Sequence, residues 1–116
     1  MGVRDVLLPV TACPTALPGT PQYTYGATNN NSKMSVRLIR AVNRDSSAHP
    51  VTIHHTTGGA AAANGNIIWP AVSVPANTMV KDCYDVGEMV MKSGDALYIF
   101  SDSALVNFYV SGEADE

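Results

Sequence analysis

Between Met34 and Asn43 the chain alternates on a two-residue period, with Val36, Leu38, Arg40 and Val42 on one side and Arg37, Ile39 and Ala41 on the other. Apolar residues on both sides predict a central β-strand covered over most of its length. The period returns from Val51 to Thr57, where Val51, Ile53 and His55 oppose Thr52, His54 and Thr56. The turn-forming residues 44–50 would join the two strands as a hairpin. Further strands are predicted at Thr78 to Cys83, Glu88 to Lys92 and Ala96 to Ser101, the last with Leu97 and Ile99 opposite Tyr98 and Phe100. A final strand carries Val106, Phe108 and Val110 inward and Asn107, Tyr109 and Ser111 outward. Pro75-Ala76-Asn77-Thr78 reads as a turn. Lys92-Ser93-Gly94-Asp95 reads as a tight hairpin turn in which Gly94 takes a positive φ.

The intervening segments lack this order. Val3 to Val10 predicts a short first strand or arm, with Pro9 at an edge because it cannot donate to a ladder. Residues 11–32 hold Pro14, Pro18, Pro21 and the run Asn29, Asn30, Asn31, a long stretch of breakers of the kind that serves as a functional loop or linker. It reads either as an extended arm on a neighbouring subunit or as a surface loop of the same monomer. Residues 58–66 hold four alanines between glycines, too few to nucleate a helix, so a loop with at most one helical turn is expected. Ile67 to Pro70 resumes an extended path, and residues 111–116 read as a solvated acidic tail. No helical period occurs. The expected architecture is all-β: a single antiparallel β-sandwich, or jelly-roll-like domain, over residues 34–116, with an extended N-terminal arm or loop region over residues 1–33.

Composition sharpens the class. A chain of 116 residues supports one modest core, and its charged fraction of 15% lies below the roughly 25% of an average soluble chain. A low-charge surface suits a subunit of an assembly. The seven Lys and Arg are scattered singly and the net charge is −3, so no basic stripe follows a phosphate backbone and no nucleic acid is expected as partner. The first residues do not read as a signal peptide, and no run approaches the length of a membrane span. Cys13 and Cys83 are compatible with a disulfide, an intersubunit bridge or two free thiols.

No residue type falls at a spacing that commits the chain to chemistry. His54 and His55 are strand neighbours and point to opposite faces, so they do not share a metal ion, and His49 sits in a turn. Ser93, Asp95 and His55 assemble into a triad only on paper. Asp82, Asp85, Glu88, Asp95 and Asp102 lie near turns but lack the spacing of a calcium loop. Trp69, Tyr84, Tyr98, Phe100 and Tyr109 would line either a carbohydrate platform or the core. The reading is therefore non-enzymatic, with no catalytic residues, cofactor or metal.

The runs Val36-Arg-Leu-Ile-Arg-Ala-Val-Asn43, Pro50-Val-Thr-Ile-His-His55, Val74-Pro-Ala-Asn-Thr78, Glu88-Met-Val-Met-Lys-Ser-Gly-Asp-Ala-Leu-Tyr-Ile99 and Val106-Asn-Phe-Tyr-Val-Ser-Gly112 resemble, in layout, small virion structural proteins of tailed bacteriophages. The likeness spans residues 34 to 113. It implies a homo-oligomeric accessory of the virion, assembled in the host cytoplasm. Such a subunit would dock in many copies on the capsid, as decoration or cement, or at the head-tail neck or tail, with the major capsid or neck and tail proteins as partners. A carbohydrate- or receptor-binding β-sandwich module is the alternative.

Overall fold

The computed structural model describes residues 3–26 and 32–115; the run Asn29 to Asn31 and the terminal Glu116 lie outside the described residues. Ten strands are found among them: β1 (Val3–Leu7), β2 (Thr11–Ala12), β3 (Tyr23–Thr24), β4 (Lys33–Asn43), β5 (His49–Thr56), β6 (Ile67–Val74), β7 (Met79–Cys83), β8 (Val90–Lys92), β9 (Ala96–Ser101) and β10 (Val106–Asp115). They form two antiparallel sheets. The first runs β1-β10-β4-β7, with β2 also on β10 and β8 also on β4; the second runs β3-β9-β5-β6. The sheets pack face to face over one core, in which Val36, Ile39, Val51, Ile53, Leu97, Ile99, Val106 and Val110 are fully buried. The expected all-β sandwich is what the chain forms.

The loops carry the chain between layers. β4 and β5 do not pair as a hairpin, because residues 44–48 cross from the first sheet to the second. The turn at residues 92–95 is present, with Gly94 at φ 89°, but it too joins strands of different sheets rather than closing a hairpin. A short loop suffices, because stacked sheets lie only about 10 Å apart. Buried Asn43 fixes the first crossing: its Nδ2 donates to the carbonyls of Ser47 and Val74 at 2.8 and 3.0 Å, and its Oδ1 accepts from the Asp45 N–H at 2.9 Å.

Strict alternation along β4 also gives way. The register against β10 slips at Ser111/Gly112, where Leu38 faces Ser111 but Val36 faces Gly112, so Arg37 is the extra residue of a β-bulge. Met34 and Val36 point inward before it and Ile39, Ala41 and Asn43 after it. Leu38, Arg40 and Val42 turn to the outer face, half-buried, and do not share a side with Val36. On β6, Pro70 and Ala71, the latter at φ 46°, form an irregularity between the pairs Ile53 with Trp69 and Val51 with Val72. An edge strand interrupted in this way is protected from pairing with another chain.

The ends of the chain belong to the sandwich. β1 pairs with β10 from Val3 opposite Asp115 to Leu7 opposite Ser111, and β3 pairs with β9. Val6, Leu8, Cys13 and Tyr25 are buried in the core. Tyr25 exchanges backbone hydrogen bonds with the turn at 92–95, its N–H donating to Asp95 O at 2.9 Å and its carbonyl accepting from Gly94 at 3.0 Å. The described part of residues 1–33 is thus built into both sheets and does not stand apart from 34–116 as an arm. The acidic tail is likewise strand up to Asp115, with Gly112 and Ala114 buried and Glu113 paired with Arg37 at 3.1 Å.

Candidate docking face and inter-sheet cleft

Alternation and register define the outer face of the first sheet. In adjacent rows, Met79 flanks Val42 and Asn107, Lys81 flanks Arg40 and Tyr109, and Cys83 flanks Leu38, Ser111 and Leu7. The guanidinium of Arg40 lies 4.9 Å from the centroid of the Tyr109 ring, a cation–π contact worth about 0.5–1 kcal/mol at such a site, and its buried Nε has no hydrogen-bond partner. Leu7 is 66% and Met79 45% exposed. Val86, 67% exposed, rims a shallow pocket of about 330 Å³ on the same face, beside Lys33, Ser35, Glu113 and Asp115. Isolated exposed apolar residues are ordinary, but several on one sheet face mark an interaction surface.

A second feature opens at the flank, between the sheets. A cleft of about 480 Å³ is lined by His55, Ile68, Asp82, Tyr84, Glu88, Met89 and Val90. Burial holds the Tyr84 hydroxyl above its ordinary 10.0, so it stays neutral and donates to Asp82 Oδ2 at 3.4 Å. Behind the cleft, the buried Asp95 carboxylate accepts from the N–H groups of Lys92 and Gly58 at 2.9 and 3.3 Å. His55 Nε2 stands 3.7 Å from it, outside hydrogen-bond range and without a partner.

Two members of the paper triad, His55 and Asp95, therefore meet, whereas Ser93 is exposed on the turn. His54 faces the other way: its Nδ1 lies 3.0 Å from Ala63 O and 2.8 Å from Asn66 Oδ1, two acceptors that require the proton on that nitrogen. Its ring stacks on Phe100 at 6.3 Å. His54 thus pins the loop over residues 57–66, which contains one short 3-10 turn at Asn64–Asn66. The two histidines do point to opposite faces, and no cluster suited to a metal ion occurs among the described residues. Trp69 is buried in the core, Tyr84 packs partly against it, and Tyr98 is half-buried, so these aromatics make no shared platform. Both cysteines are free; burial pushes the Cys13 thiol up to about 12, while Cys83 is exposed on β7.

His49, a plain turn residue in the sequence, clamps two loops. Its Nε2 lies 2.7 Å from Asp45 and its Nδ1 2.6 Å from Asp102. Neutral imidazole has one N–H, so holding both carboxylates requires the imidazolium. The hydrogen bond to Asp45 raises the His49 pKa above 6.5, with the Asp102 contact adding to it against burial. The same bond lowers that of Asp45 below 3.8. By linkage the raised histidine adds stability that is complete below pH 6.5 and lost as pH rises through its folded value. The lowered aspartate adds stability that is complete above 3.8 and lost as pH falls through its folded value. The urea midpoint of the wild type should exceed that of His49→Gln most between these limits, and the gap should close toward alkaline pH. A gap that stays constant from acid to alkaline pH would refute the clamp.

No family model, curated protein or solved structure matches this chain.

Proposed function

We propose that this chain is a non-enzymatic structural subunit of a tailed-bacteriophage virion, docking in many copies on the capsid as a decoration or cement protein, or else at the head-tail neck or tail. The observation that carries the docking reading is the outer face of the first sheet, where Leu7, Met79 and Val86 stand exposed on a chain of only 15% charged residues. The virion as the place of docking rests on the layout likeness over residues 34 to 113. Repetition supplies the mechanism. A subunit that touches both the shell and its neighbours turns weak single contacts into strong attachment, because each bound copy raises the effective concentration of the next contact. The partners would be other copies of this chain and the major capsid, neck or tail proteins, with assembly in the host cytoplasm.

The test is particle mass by light scattering, for the protein alone and mixed with virions lacking it. Saturable binding to such particles is the expected result. A protein that ignores them loses this reading. The flank cleft, with Tyr84, Asp82 and Glu88 on its walls, favours one second reading, a glycan- or receptor-binding module. Saturable binding of soluble oligosaccharides, abolished by Tyr84→Ala, would move the function there.

A further inference from the structure

The register of the first sheet gathers charges that the sequence scatters. Lys33 and Lys92 sit opposite each other across β4 and β8, and Arg40 and Lys81 across β4 and β7. Arg37 occupies the bulge and pairs with Glu113. Each lies on the outer face, since the intervening Met34, Met91, Ile39 and Ala41 point into the core. Five of the seven Lys and Arg of the chain thus share one face with three acids, Asp5, Glu113 and Asp115. That face carries +2 within a chain of net charge −3, which leaves −5 to the remaining residues. Asp82 and Glu88 of that remainder stand at the flank cleft.

We propose that copies of this chain associate head to tail, the cationic and apolar outer face of the first sheet on one copy seating against the acidic cleft flank of the next. The inference rests on the reading of the chain as an assembling subunit and names the contact it uses. Two copies joined through the same face would set +2 against +2, a net like-charge encounter that slows association. The cleft is the complementary surface. Ile68, Met89 and Val90 offer an apolar wall for the stem of a lysine or arginine, and Asp82 and Glu88 receive its charged head. Area agrees as well: β4 and β10 are 11 and 10 residues long, β1 with β2 and β7 with β8 line their outer edges, and four such rows about 4.8 Å apart present on the order of 600 Å² of face, near the roughly 800 Å² per partner of a standard interface. The exposed Leu7, Met79 and Val86 and the interleaved acids suit a protein surface better than a phosphate backbone. Because the two surfaces differ, the contact is heterologous and propagates into a ring or an open array, as a collar or a shell coat requires.

The experiment uses two full-length variants, each checked for a native circular dichroism spectrum. One loses the face (Lys33→Glu with Lys81→Glu) and the other loses the cleft (Asp82→Lys with Glu88→Gln). By light scattering, the wild type should exceed twice the 12.2 kDa mass of one chain as concentration rises, and high salt should weaken this. Each variant alone should remain monomeric. Their equimolar mixture should form dimers and nothing larger, because one intact face meets one intact cleft. Variants that still associate, a mixture that stays monomeric, or association that requires added duplex DNA would overturn the inference. A wild type monomeric alone that nonetheless saturates particles overturns the head-to-tail contact while sparing the docking reading; one that does neither overturns both.

Discussion

Gly112→Ala should destabilise the protein by about 3 kcal/mol or more, the upper range for forcing atoms into a packed core. A Cβ at Gly112 would run into the carbonyl oxygen of Ser35 and stand 2.9 Å from Met34 Cε and 3.1 Å from Val36 Cα. The methionine end can swing aside, but the backbone of β4 cannot, because it is held between β10 on one side and β7 and β8 on the other. The site is the bulge: the surplus Arg37 in β4 sets Val36 opposite Gly112, and the backbone of residues 35 and 36 there occupies the space a Cβ would need. Thermal denaturation gives the measure, with each kcal/mol worth roughly 4 °C or more in a domain of this size. Gly65→Ala is the control, since nothing lies within 4 Å of its would-be Cβ, and it should shift stability by no more than about 0.5 kcal/mol. A Gly112→Ala protein as stable as that control would show that the bulge has room to relax.

The same bulge marks where the sequence stops being readable. Alternation in Ala96 to Ser101 and Val106 to Val110 predicts their inward residues correctly, because the period of two is a property of one strand. A bulge is a property of two. Nothing within residues 33–43 announces that Arg37 will be the surplus residue, and the only hint is a glycine some seventy positions away. Alternation likewise assigns faces but not partners, so residues 44–48 and 92–95 read as hairpin turns although each crosses between sheets. The acidic end misleads for a different reason. Glu113 and Asp115 suggest solvent, yet they alternate with buried Gly112 and Ala114, and Arg37 compensates Glu113 at 3.1 Å. Of the candidate surfaces, the isolated acids and aromatics were visible as residue types. The positive face was not, since its five cations come together only through strand register. The His49 clamp was half visible: Asp45 is four residues away, but Asp102 is 53 residues on.

Deleting residues 1–32 should abolish cooperative folding, although their prolines and asparagines read as a dispensable arm. The segment supplies Val6, Leu8, Cys13 and Tyr25 to the core, and burying such side chains contributes about 1.5–3 kcal/mol each. Their sum, on the order of 6–12 kcal/mol, is comparable to the whole net stability of a typical domain, about 5–15 kcal/mol. The loss extends beyond apolar area. Without residues 3–12, β10 has a bare edge from Val106 to Asp115. Without residues 13–25, β9 loses β3 and also the side-chain carbonyl of Gln22, which accepts from the Ile99 N–H at 2.8 Å, and the carbonyl of Pro14, which accepts from the Ser101 N–H at 2.9 Å. Both newly open edges would be unpaired templates for aggregation. The check is a urea titration followed by near-ultraviolet circular dichroism, expected to show no sigmoidal transition. A truncated chain that unfolds cooperatively near the wild-type midpoint, yet no longer associates, would instead establish residues 1–32 as an assembly arm laid over an independent sandwich.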